Sequence, residues 1–156
     1  MKKISSLSTV VAGLAGIALC FTLFSFASRF GGDSYTIFLN DKQVAQRYVA
    51  SKMGIPSLSL DTNNSNDQLS VYYSECGKIG KARTLSIRND QNKMLKEWKF
   101  ADVGDDHTPM AMKSKEIAAL AQDGSKLSVY YSSEQVPDGR LLANLTIISK
   151  DSKASR

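Results

Sequence analysis

The chain holds a single histidine, His107, in the stretch DVGDDHTP (Asp102 to Pro109), next to Asp105 and Asp106. Any mechanism that activates a serine or cysteine through an imidazole would have to use it. Cys76 can meet it only if their two loops share one end of the fold. No nucleophile elbow and no zinc-protease helix signature occurs. Glu75, Glu134, Asp102 and Asp138 fall near the ends of expected strands, but no spacing pairs two of them as acid and base. The inventory therefore assigns no catalytic residue. The same loop suits a different chemistry. Asp102, Asp105 and Asp106 offer oxygen ligands of the kind that hold calcium, the one cofactor the composition suggests. Their spacing is not that of an EF-hand, and a zinc site would want more histidine or cysteine. The plain alternative is a polar loop.

A second stretch, ECGKIGKAR (Glu75 to Arg83), combines two glycines with Lys78, Lys81 and Arg83. Backbone amides in such a turn, with cations around them, can bind an anion. The order of residues is not that of a phosphate-binding P-loop, and the alternative is a glycine-permitted connection with solvated lysines. Cys76 lies inside this stretch as a free thiol, available for an intermolecular bridge or packed as a small apolar side chain.

The third candidate comes from a repetition. LSVYYS is spelled at Leu69 to Ser74 and again at Leu127 to Ser132. In an extended strand alternate side chains share a face, so Leu69, Val71 and Tyr73 point one way, as do Leu127, Val129 and Tyr131. Tyr72 and Tyr130 then become equivalent outward rings flanked by serines, a platform for a sugar face or a partner protein. The competing explanation is the ordinary preference of tyrosine for strands. Trp98 shares a face with Met94 and Phe100 and reads as a core anchor.

These residues need a scaffold of short strands. TIFLNDKQVAQRYV reads as a hairpin turning at Asn40-Asp41, PSLSL as a third strand and LSVYYS as a fourth. TLSIRNDQNKMLKEWKF repeats the hairpin with a turn at Asn89-Asp90. PMAMKS repeats the proline-led strand, and LSVYYS returns. The expected domain is all-β: an antiparallel β-sandwich of eight or nine strands, residues 35–150, built from two similar halves. LLANLTIIS supplies the last strand and KEIAAL a short helix. Two sheets are needed because four strands cannot bury both of their faces.

Ahead of that domain, Lys2 and Lys3 precede an apolar run from Val10 to Ala27, with Ser25 and Ala27 before a cleavage point. That order is a secretory signal over residues 1–27, and an uncleaved membrane anchor is the alternative. Residues 28–34 form a linker, and 151–156 a polar tail. Removing the signal takes two of the 20 basic residues and none of the 15 acidic ones, so the net charge falls from +5 to +3. The basic residues are scattered among acids, which excludes the concentrated stripe of a nucleic-acid surface. The expectation is an exported binding module, periplasmic or extracellular, contacting a protein or glycan, with membrane contact confined to an uncleaved N-terminal segment. A structural subunit of an envelope complex and a small hydrolase are the alternatives.

Overall fold

The computed structural model describes residues 32–61, 67–104, 108–121 and 126–148. The signal segment, most of the linker, the tail and Asp105, Asp106 and His107 lie outside them. From Gly32 on, the chain forms a compact unit of its own.

Both expected hairpins are present. Strand β1 (Ser34–Leu39) turns into β2 (Lys42–Tyr48), and Asn40 at the turn has φ of +48°. Asparagine enters this left-handed region more readily than most side-chain-bearing residues. Its side chain also clasps the next strand along: its carbonyl accepts the Gln68 amide at 3.0 Å, and its amide donates to Asp67 at 3.0 Å. Strand β3 (Ser57–Asp61) and strand β4 (Gln68–Ser74) follow. The second hairpin joins β5 (Thr84–Asn89) to β6 (Met94–Lys99), with the Asn89 carboxamide accepting the Gln91 and Lys93 amides. Then come β7 (Met110–Lys113), a one-turn helix α1 (Ser114–Ala118), β8 (Lys126–Ser132) and β9 (Arg140–Ile148).

The strands build a predominantly β fold with two sheets, ordered β2-β1-β4-β7 and β3-β9-β8-β5-β6. Each sheet keeps a hairpin beside its LSVYYS strand, in matching register. Ile37 lies opposite Val71 as Ile87 lies opposite Val129, and both hairpins shift register one step later, at Ile37/Phe38 and Ile87/Arg88. The third strands are exchanged: β7 completes the first sheet, and β3 crosses to the second. There it pairs with β9 in parallel, from Ser57↔Asn144 to Asp61↔Ile148, so the expectation of a wholly antiparallel fold is corrected at that edge. The physical reason is β9, whose nine residues give β3 a long partner in the second sheet.

Side-chain alternation places the core where the repeated strand predicts it. Leu69, Val71, Leu127, Val129 and Tyr131 are fully or almost fully buried and Tyr73 nearly so, in one apolar cluster with Ile37, Leu85, Ile87, Met110, Met112 and Leu145. Each such side chain withdrawn from water contributes roughly 1.5–3 kcal/mol. Residues of both sheets meet here directly. The Tyr73 and Tyr131 rings stack with centroids 3.9 Å apart, Tyr35 stacks on Tyr73 at 6.2 Å, and the Tyr35 hydroxyl donates to the Leu142 carbonyl. Trp98 is only half-buried and Met94 is exposed, so the anchor role expected of Trp98 is a partial one at the β6 edge.

Candidate functional site

Because Tyr73 and Tyr131 point towards each other, Tyr72 and Tyr130 point away from that contact, one from each sheet. They cannot form one platform. Each is half-buried, but their surroundings differ. On the first sheet Tyr72 stands beside Phe38 of β1, the rings meeting edge to face with centroids 5.5 Å apart and planes at 71°. Together with Asn40, Asp41, Gln68, Ser70 and Pro109 they line a groove of about 350 Å³. The Asn40 clasp holds the β1–β2 turn against the start of β4, and Asp41 and Gln68 from these two segments line the groove. A groove lined by two aromatic rings together with a carboxylate, amide side chains and a serine hydroxyl can pack an apolar ligand face and accept or donate hydrogen bonds around it.

On the second sheet the position of Phe38 is taken by Arg88. Its guanidinium carbon lies 4.1 Å from the Tyr130 ring centroid, a cation–π contact, and its Nη1 donates to Asn92 at 3.2 Å. Gly139, at φ +77°, passes so close that a Cβ there would come within 3.3 Å of the arginine. The Tyr130 face is therefore covered.

The glycine-bearing loop is also different from its expected form. Cys76 and Gly77 have φ of +49° and +81°, the two left-handed residues of a type I′ turn, closed by reciprocal amide bonds between Glu75 and Lys78. Two of the loop's amides are taken by the chain's own carboxylates. Cys76 N–H donates to Asp33 at 3.2 Å, and Ala82 N–H to Asp102 at 2.8 Å. Arg83 is only 3% exposed and gives a guanidinium N–H to the Ala101 carbonyl, so it is part of the interior rather than of a basic rim. Lys78 and Lys81 stay on the surface. The Cys76 thiol is exposed, 3.6 Å from Asp33, which sets aside its reading as a buried apolar residue. Asp102, committed to the Ala82 amide, is turned to the same loop. Its proposed calcium partners Asp105 and Asp106 lie outside the described residues, and among the described residues no cluster of three metal-ligating side chains occurs.

Sequence reasoning missed Asp33, and it named Glu75 only as a strand-end carboxylate without a partner. Asp33 accepts the Tyr73 hydroxyl at 2.9 Å, and Arg140 lies 3.8 Å away; Glu75, itself buried, accepts the Tyr131 hydroxyl at 2.7 Å and that of Ser133. Burial, and after it these carboxylate partners, push both phenols far above the usual tyrosine range; burial also raises Tyr35, against the opposing effect of Arg47. The signal was available in principle. An inward tyrosine must find a partner for its hydroxyl, and in the first copy a glutamate follows LSVYYS directly. What the alternation rule does not say is that this glutamate serves the tyrosine of the other copy. Gly80 makes room for the pair, since a Cβ there would collide with the Glu75 carboxylate and the Tyr131 hydroxyl.

Comparison with known proteins gave no match: no family model fits the chain, and no curated protein is similar to it in sequence.

Proposed function

We propose that the chain is an exported, non-catalytic binding module, a β-sandwich of two similar halves, that takes a glycan or protein segment outside the cytoplasm in the groove at Tyr72. The sandwich reading draws support from the shared core and the tyrosine stack between sheets. The duplication draws support from the matching hairpin registers and bulges. Export rests on the charged, apolar and small-residue order of the first 27 residues.

The observation that carries the binding reading is the pairing of the Phe38 and Tyr72 rings with Asp41 and Gln68 around one open groove. A ring face stacks on the C–H face of a sugar or on an apolar side chain, and the carboxylate and amide then set orientation. The test is a titration of the domain against a panel of oligosaccharides and against captured exported proteins, with Tyr72→Ala and Tyr130→Ala in parallel. The expected result is a ligand whose affinity falls about tenfold or more in Tyr72→Ala, at least 1.4 kcal/mol, and holds in Tyr130→Ala. Equal binding by the parent and Tyr72→Ala would reject the groove.

The exposed Cys76 favours a second reading, an assembly subunit bridged between copies. A non-reducing gel showing only monomer after mild oxidation would remove it.

A further inference from the structure

A second surface lies at the β2 edge, away from the Tyr72 groove. Where β2 ends, the loop 49–56 and the start of β9 enclose a cleft of about 240 Å³ whose lining includes Arg47, Tyr48, Met53, Ile55 and Arg140. Three of its large apolar side chains stand in water: Tyr48 is 62% exposed, Met53 58% and Ile55 43%. Two arginines, Arg47 and Arg140, line the same cleft. Among the described residues Arg47 donates to the Gln46 and Gly54 carbonyls, which are neutral acceptors, and Lys52 is exposed in the adjoining loop. Arg140 has one carboxylate neighbour, Asp33, at 3.8 Å.

The place of this patch in the chain matters. The Val49 amide donates to the Asp33 carbonyl at 2.8 Å, and a Cβ on Gly32 would lie 3.9 Å from that of Ala50. The polypeptide thus reaches the domain at this very loop. The apolar run of the sequence ends at Ala27, five residues before Gly32, and five residues span at most roughly 17 Å of extended chain. In a chain that keeps that run in a bilayer, at most that length of polypeptide separates the run from Gly32.

We propose that this edge is a membrane-docking surface. Tyr48, Met53 and Ile55 enter the headgroup boundary of an anionic bilayer, and Arg47, Lys52 and Arg140 meet its phosphates. Apolar side chains with arginines in the same cleft and a lysine in the adjoining loop suit that boundary, because the rings and aliphatic groups leave water while the cations stay at the phosphate level. The attraction to anionic lipid amounts to about fivefold in affinity for each basic residue near the surface.

The experiment uses the chain from Ser28 on, which carries every residue of the described core, sedimented with phosphatidylcholine vesicles with and without phosphatidylglycerol. Expected is binding to the phosphatidylglycerol vesicles that declines with salt, falls about fivefold in each of Arg47→Gln and Lys52→Gln, and is largely lost in Tyr48→Ser/Ile55→Ser. Met94→Ser, an exposed apolar residue on the far edge, and Tyr72→Ala bind as the parent does, which separates this surface from the groove. Three results would overturn the proposal: no retention on either vesicle, equal retention of the patch variants, or a lipid-free oligomer that Tyr48→Ser/Ile55→Ser dissociates. The last would assign the patch to a second copy of the chain.

Discussion

The two LSVYYS strands are the same six residues in two settings. Their inner faces are treated alike: Leu69, Val71 and Tyr73 on β4, and Leu127, Val129 and Tyr131 on β8, all enter one core, and the two tyrosines stack on each other. Their outer faces diverge, because the neighbouring hairpin strand carries Phe38 in one sheet and Arg88 in the other. Phe38 stands edge-on and leaves Tyr72 on a groove; the Arg88 guanidinium sits over Tyr130. A strand's own sequence decides what it buries. What it presents outward is decided by the strand beside it.

The largest expected effect separates adjacent residues of one strand. Tyr131→Ala empties a site of the tyrosine stack and should cost about 3–5 kcal/mol, whereas Tyr130→Ala, outward on the same strand, should stay within about 1 kcal/mol. Denaturant unfolding of the two variants measures this directly. Similar losses would mean that the inner and outer faces are not energetically distinct.

A finer difference lies between the two inner tyrosines. Tyr131 donates to Glu75, a buried carboxylate, while Tyr73 donates to the less enclosed Asp33. Tyr131→Phe leaves Glu75 with the Ser133 hydroxyl in its place and should cost about 1–3 kcal/mol; Tyr73→Phe should cost about 1 kcal/mol. The same contacts set an alkaline limit. Burial first, and the carboxylates next, raise both phenols, so the unfolded chain ionises before the folded one. Their stabilisation is complete below a pH of about 10 and declines above it. A spectrophotometric titration should find the delayed phenols ionising together with unfolding. Smooth ionisation in the folded state would contradict the hydrogen bonds to Glu75 and Asp33.

The outer faces can be exchanged through a single position. Phe38→Arg should lay a guanidinium over Tyr72 and weaken the groove's ligand about tenfold. Arg88→Phe should uncover Tyr130 at a cost of about 0.5–1 kcal/mol from the lost cation–π contact. If Phe38→Arg leaves binding unchanged, the Phe38 ring and the open face it maintains are not part of the site.

Much of this scaffold was legible in the chain. Alternation marked the strands and their inner faces, and Asn40-Asp41 and Asn89-Asp90 marked the hairpin turns, because period two and the turn chemistry of asparagine, left-handed at Asn40 and a carboxamide acceptor at Asn89, are local properties. The crossing of β3 to the second sheet was not legible, since a five-residue strand carries no mark of which edge it joins and β9 lies more than 80 residues further on. The site was legible in part. Tyr72 was picked out as an outward ring, but Phe38 and Asp41 join it only through the β1–β4 register. Arg83 read as a surface cation because the loop's composition is polar; its burial follows from the Ala101 carbonyl, 18 residues away, that receives its guanidinium.

The smallest effect concerns the two edges. In matching registers Arg47 on β2 lies opposite Tyr35, and Trp98 on β6 lies opposite Leu85. Arg47 is left to an open cleft, but Trp98 is covered by α1: its indole N–H donates to Glu116 at 3.1 Å, and Lys96 reaches the same carboxylate at 2.6 Å while its Nζ lies 4.7 Å from the indole centroid. The hydrogen bond from Lys96, and then that from Trp98, hold the Glu116 carboxyl below its usual range. A lowered carboxylate contributes above its ordinary pKa, and the contribution is lost as pH falls through the lowered value. Because the pair is solvent-exposed, the global stability change should be slight. Trp98 is the single tryptophan, so its fluorescence should report the step, which Glu116→Gln should abolish. A step that survives in Glu116→Gln would belong to another group and would leave the two edges less different than their contacts make them.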